Sequence, residues 1–247
     1  MTEEQRQRAI RLRLARSEQR RRTPLPTGFA ALDSALNGGL PRSAIVEVFG
    51  PSSCGKTTLA LQIVARAQKN QATAAWIDAE HVFDAPYASS LGVRVEEMPL
   101  AQPESAEQAL EIACKLAGSN AVDLVVVDSA AALVPRLELE SGMGDSGGGL
   151  HSRVLASGLR KLAHIVGKSG TVAVFLNQTR SRKQASGGEE ETSAGGPPLK
   201  LYAGVRLALV SQTDGQVCFR VLKNKAAAAF REGQLRRARS GEFVESP

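Results

Sequence analysis

Residues 43–58, Ser-Ala-Ile-Val-Glu-Val-Phe-Gly-Pro-Ser-Ser-Cys-Gly-Lys-Thr-Thr, constrain this chain more than any other stretch. The apolar residues Ile45, Val46, Val48 and Phe49 predict a buried strand. Gly50 follows, then four residues, then Gly55-Lys56-Thr57, and residues 59–68 form a helix-favouring run. Strand, glycine loop and helix in that order are what a P-loop requires. The glycines let backbone N–H groups converge on phosphate oxygens, and the helix N-terminus adds the positive end of its dipole. In such a loop Lys56 reaches the β- and γ-phosphates, and the Thr57 hydroxyl holds Mg²⁺. Gly50, Pro51, Ser52, Ser53, Cys54, Gly55, Lys56, Thr57 and Thr58 are therefore the candidate site for ATP with Mg²⁺. A chance Gly-Lys-Thr in a polar loop would lack both flanks.

A strand buried on both faces needs enough apolar chain to cover it. Among 247 residues 43% are apolar, which suffices for one large α/β domain. No run approaches the ~20 apolar residues that span a membrane, and the N-terminus is too basic for a secretory signal. Cys54, Cys114 and Cys218 are scattered and odd in number, which suggests neither a disulfide framework nor a metal cluster and fits a reducing cytoplasm. A net charge of +6 and a pI near 9.5 suit a polyanionic partner. With aromatics at 4%, a platform stacking many bases is not expected.

The order of elements follows from periodicity. Residues 1–26 carry Arg6, Arg8, Arg11, Arg13, Arg16, Arg20, Arg21 and Arg22 on a weakly striped segment that Pro24 and Pro26 break. It reads equally as a solvated helix or frayed arm, as a nucleic-acid arm, or as a helix docking on a neighbouring subunit. Strands are expected at 72–78, 98–101, 122–129 and 171–178, and an antiparallel pair at 205–210 and 216–222. Helices are expected near 105–116, where Ser105 and Gln108 form a capping-box pattern, and over 150–166. The prediction is an α/β fold: a mostly parallel twisted sheet with helices on both faces and an antiparallel edge. The core spans 27–232, and 233–247 read as a basic flexible tail. Two polar Gly-rich loops, 138–149 and 179–196, interrupt the order. Loops of that length in a compact domain are usually functional or disordered.

In such a sheet ligands collect beyond the carboxyl ends of the strands. Asp128 ends one strand where a carboxylate would support Mg²⁺; otherwise it caps the next helix. Glu80 ends another, where it would deprotonate an attacking water; otherwise it makes a surface salt bridge. His81 is as readily structural as catalytic. Gln178 stands where the second loop begins and would sense a γ-phosphate through its amide. Lys223 and Lys225 read either as solvated edge charges or as cations reaching a triphosphate across a subunit interface.

These residues together resemble the ATPase core of the bacterial RecA recombinase family, over about 27–232. The matching stretches are Thr27-Gly-x4-Asp33-x4-Gly38-Gly-Leu-Pro41, the loop from Gly50 to Thr58, and Ile77-Asp-Ala-Glu-His81 with Asp84 and Tyr87. Val125-Val-Val-Asp-Ser129, Gly144-Asp-Ser146, Arg160-Lys-Leu-Ala163, Asn177-Gln178-x-Arg180 and Val221-Leu-Lys-Asn-Lys225 complete them. The resemblance implies a DNA-dependent ATPase of recombination, repair and the SOS damage response. In it Glu80 activates water, Gln178 couples the γ-phosphate to the second DNA loop, and Asp84 and Tyr87 pack around adenine. Lys223 and Lys225 would serve a neighbouring subunit's ATP. Single-stranded DNA would meet Arg153, Arg160, Arg180, Arg182 and Lys183.

The departures are equally specific. The family's longer N-terminal docking region and its C-terminal domain have no match here. Gly148 and Lys183 stand where the family inserts apolar wedges between bases, and Glu189, Glu190 and Glu191 should repel DNA locally. Strand exchange is therefore open. The alternative is an ImuA-like accessory of translesion synthesis, with RecA or a polymerase as its partner. A hexameric motor relative fits less well.

Overall fold

The computed structural model describes residues 23–141, 149–183, 189–193, 196–212 and 215–245, with only the backbone path for 180–183 and 189–193. The Arg-rich segment 1–22 and the residues Gly144, Asp145, Ser146 and Gly148 lie outside these.

The chain enters at Leu25, which is buried and bridged to Leu40 around the short helix α1 (Ala30–Ala35). Strand β1 (Ile45–Gly50) is buried along its whole length. It lies parallel between β5 (Val172–Lys183) and β7 (Val205–Ser211). Helix α2 (Lys56–Lys69) follows the glycine loop. Then come β2 (Ala74–Asp78), α3 (Ala85–Ser90), β3 (Leu100–Ala101), α4 (Ala106–Gly118) and β4 (Leu124–Asp128). After α5 (Arg136–Glu140) and α6 (Leu150–Ser169), β5 runs out to meet β6 (Glu189–Ser193). Helix α7 (Gly196–Tyr202) precedes β7, and β8 (Gln216–Asn224), β9 (Glu232–Arg237) and β10 (Phe243–Glu245) close the chain.

The sheet order is β10-β9-β8-β7-β1-β5-β4-β2-β3, parallel from β7 to β3 and antiparallel from β7 to β10. One face carries Val46, Val48, Val126 and Val174 against α2; the other carries Ile45, Ile77, Val125 and Phe175 against α4, α6 and α7. Each such side chain, fully buried, contributes about 1.5–3 kcal/mol. Helix α6 shows why it forms where it does. Leu155, Leu159, Leu162 and Val166 recur at helical spacing and are its buried residues, and Gly170 at φ +81° ends it. Ser105 caps α4 by accepting from the Gln108 N–H at 3.3 Å.

Three expectations change. Residues 138–140 of the first expected loop belong to helix α5. Residues 179–183 form no loop: β5 continues through Lys183 and pairs with β6, with Arg182 opposite Glu190 and Lys183 opposite Glu189 in the backbone register. The segment from 233 is no flexible tail either, because β9 and β10 add two strands to the sheet. Leu235 is fully buried and Phe243 nearly so, and the Phe243 backbone is clamped by Gln62 of α2 at 2.8 and 2.9 Å. A single core residue in each strand leaves too weak a period-2 signal to be read from sequence.

Candidate functional site

The glycine loop is shaped by close approaches. A Cβ on Gly50 would stand 2.2 Å from the Leu209 carbonyl oxygen, and Gly55 caps α2 at φ +96°. Both positions need glycine, for space and for backbone conformation respectively. Lys56 is buried, and its ammonium donates to the carbonyls of Gly50 at 3.1 Å and Pro51 at 2.7 Å. Thr57 follows on the first turn of α2, and its hydroxyl donates to Asp128 Oδ2 at 3.0 Å. Pro51, Ser52, Ser53 and Cys54 complete the turn. The Thr58 hydroxyl is 2.8 Å from that of Tyr87.

Three carboxylates gather beside the loop because β2 and β4 end in register, Asp78 against Asp128. Asp78 is spent on structure, accepting from the Phe83 N–H at 3.0 Å and the Gln102 amide at 2.9 Å. Asp128 is buried, and that desolvation pushes its carboxyl from 3.8 up to about 6. The Thr57 hydrogen bond opposes the shift, while the charges of Glu80 and Asp78 reinforce it. Glu80 is half-buried and accepts a short hydrogen bond from the Ser129 hydroxyl. A carboxylate so oriented keeps one oxygen for a water.

Among the described residues no group of three or more His, Cys, Asp or Glu could hold a metal ion. One hydroxyl and one carboxylate, Thr57 and Asp128, suit Mg²⁺, which keeps water and phosphate oxygens among its ligands. Their donor set fits that ion.

Gln178 is the register partner of Gly50 on the adjacent strand, which puts it beside the first residue of the loop. His81 is turned aside at φ +58°, with Nε2 3.1 Å from the Pro103 carbonyl oxygen. Asp84 caps α3 by accepting from the Tyr87 N–H at 2.9 Å, and so orients Tyr87 toward Thr58.

Lys223 and Lys225 are not brought to this loop. The Lys223 ammonium donates to the carbonyls of Lys200 at 2.8 Å and Leu201 at 3.2 Å, at the end of α7 and on the face away from α2. Burial first, then the charge of Lys225, lowers its pKa. Lys225 is exposed, and its backbone N–H donates to Gly204, beside the amino end of β7.

Arg153 and Arg160 are exposed on α6 and line a groove of about 690 Å³ with Pro197, Pro198 and Leu201. Arg160 donates to the Tyr202 hydroxyl at 3.0 Å. Arg180, Arg182 and Lys183 follow on the outward run of β5 by backbone path.

Sequence reasoning missed two contributors. Ser129 holds Glu80, a role hidden in the Asp-Ser pair that ends β4. Arg237, assigned to the tail, donates to the Ser53 carbonyl at 3.3 Å with its guanidinium 5.5 Å from the Phe243 ring centre. The mixed polarity of β9 carried no signal for it.

Comparison with known proteins bears on this geometry. The RecA N-terminal domain model matches residues 3–238. The chain is 50% identical over 224 residues to Protein RecA of Thermus thermophilus, an alignment covering 85% of this chain and 65% of that protein. It is 49% identical over 218 residues to Protein RecA of Gluconobacter oxydans, covering 84% of this chain and 63% of the other. Against Protein RecA of Porphyromonas gingivalis it is 45% identical over 237 residues, covering 90% and 70%. The chain thus spans less than two thirds of the length of the first two proteins.

Proposed function

The chain belongs to the RecA family, and from that premise we propose that it is an ATPase that single-stranded DNA stimulates, acting in homologous recombination, DNA repair and the SOS response. The observation that carries this is the convergence of Lys56, Thr57, Asp128 and Glu80 on one rim of the sheet, with Thr57 and Asp128 3.0 Å apart.

In this reading the loop N–H groups and Lys56 bind and orient the triphosphate, stabilising charge that develops on its oxygens. Thr57 and Asp128 would hold Mg²⁺, which would supply positive charge against the negative charge of the triphosphate. Glu80, held by Ser129, takes a proton from the water aligned with the γ-phosphorus. Gln178 donates its amide to the γ-phosphate. Asp84 and Tyr87 wall the adenine. Arg153, Arg160, Arg180, Arg182 and Lys183 hold DNA by its backbone, contacts that position without reading sequence. Lys223 and Lys225 face away from their own loop, which supports a role at a neighbouring subunit's ATP and hence self-association in a filament or oligomer. Among the described residues no helix is long and apolar enough to cross a membrane. The unpaired Cys54, Cys114 and Cys218 accord with a reducing cytoplasm.

The accessory reading gains no support. The matched relatives bear the name Protein RecA, and no residue of the nucleotide set is degraded.

The test is steady-state ATP hydrolysis at low salt with and without single-stranded DNA. DNA should accelerate turnover, and Lys56→Ala should reduce it by about 10²-fold or more. A rate indifferent to DNA would overturn the proposal.

A further inference from the structure

Glu47 lies in the middle of the central strand with 0% of its surface exposed. A carboxylate there is costly unless it is both paired and hydrogen-bonded. Its two oxygens are taken by two different strands. Oε1 accepts from the Asn177 amide of β5 at 2.9 Å, and Oε2 accepts from Arg206 Nε of β7 at 2.5 Å. The Arg206 guanidinium also lies over the Phe49 ring, 4.5 Å from its centre. A well-packed apolar pair would serve the fold about as well. Three groups locked in one geometry do something an apolar pair cannot: they tie specific backbone positions together.

The positions tied are informative. Asn177 immediately precedes Gln178, and its side-chain oxygen accepts the Gln178 N–H at 2.9 Å. On the other side Arg206 is the register partner of Lys223, where a shift between Arg206 and Leu207 interrupts the ladder. Such an irregularity re-aims the side chain beside it. Val221 packs in the core on the α2 face, whereas the Lys223 ammonium reaches the last carbonyls of α7 on the other. The buried carboxylate therefore connects Asn177, which holds the Gln178 N–H, through Arg206 and its register partner Lys223 to the end of α7.

We propose that Glu47 is the positioning residue through which Gln178 and α7 move together. A shift of Gln178 toward or away from a γ-phosphate passes through Asn177, Glu47 and Arg206 to Lys223 and the end of α7. Glu47 touches no substrate and acts only through these partners. The proposal rests on the nucleotide reading above and adds to it a named route.

The test is hydrogen–deuterium exchange on the full chain, with and without Mg²⁺ and a non-hydrolysable ATP analogue, followed in peptides covering 50–58 and 196–202. In the wild-type protein the analogue should change exchange in both. In Glu47→Gln the 50–58 response should persist and the 196–202 response should fall at least tenfold. DNA-stimulated kcat should fall by a similar factor, with KM for ATP within twofold of wild type. Should Glu47→Gln fail to fold, Asn177→Ala leaves the Glu47–Arg206 pair whole, cuts the link to Gln178, and should give the same pattern. A wild-type 196–202 response in a folded variant overturns the proposal. A responding 50–58 with a silent 196–202 in the wild-type protein overturns it as well, leaving the nucleotide reading intact. A silent 50–58 in the wild-type protein overturns the nucleotide reading first, and the route with it.

Discussion

Thr57 and Asp128 are separated by 71 positions in the chain yet share a hydrogen bond of 3.0 Å. That contact, and the burial around it, make Asp128 a measurable group. Its folded pKa, about 6, lies above the ordinary 3.8. Its contribution to stability is therefore fully present below about 3.8 and lost as pH rises through about 6, a difference of roughly 3 kcal/mol. In the absence of Mg²⁺, urea midpoints of wild type minus Asp128→Asn should fall across that window, and Mg²⁺ should recover stability at pH 7 more than at pH 5. A pH-independent difference would contradict this. Glu80 is tested by chemistry instead. Glu80→Gln keeps the shape that Ser129 holds but cannot take a proton, so hydrolysis should drop by about 10²–10⁴-fold while nucleotide binding persists. An equilibrium binding assay beside the rate measurement separates the two.

At the level of elements, the β9–β10 hairpin is the part whose removal should be felt farthest from its place in sequence. Phe243 is buried and clamped to α2 through Gln62, and Arg237 reaches the Ser53 carbonyl of the glycine loop. Phe243→Ala should cost about 3–5 kcal/mol. It should also weaken nucleotide binding, since the same ring lies within 3 Å of where a Gly55 Cβ would be. Denaturant unfolding and nucleotide titration of the same variant check both; a loss of stability with unchanged nucleotide affinity would confine the hairpin to a structural role. Strands β2, β4 and the buried part of β5 were legible because each is a run of apolar residues that gives way to a polar one, at Asp78, Asp128 and Asn177. The hairpin was not, because Leu235 and Phe243 each stand among charged and small residues, and only packing of β9 on α1 and of β10 on α2 gives them a core to enter.

For the whole molecule, the sheet separates the glycine loop from Lys223. The glycine loop lies with α2 on one face, and Lys223 lies with α7 on the other. If lysines cross between subunits, Lys56→Ala and a Lys223→Ala/Lys225→Ala double variant should each be inactive alone. Mixed in equal amounts they should recover about a quarter of the wild-type ATPase rate, the share of random interfaces at which both halves are intact. No recovery on mixing would argue against shared sites.

Residue order alone was enough for the glycine loop between strand and helix, the buried parallel strands and the carboxylates that end two of them, because hydrophobic runs, glycine spacing and strand ends are local properties of a chain. Folding decided which of those residues meet. It set Asp78 to pinning a turn while Asp128 faces Thr57, turned His81 away, and gave Ser129 to Glu80. It also sent Lys223 across the sheet through an irregular register and drew the last residues of the described chain against the glycine loop. Those outcomes depend on which strands become neighbours and on which face each side chain finds space, and neither is a property of any segment taken singly.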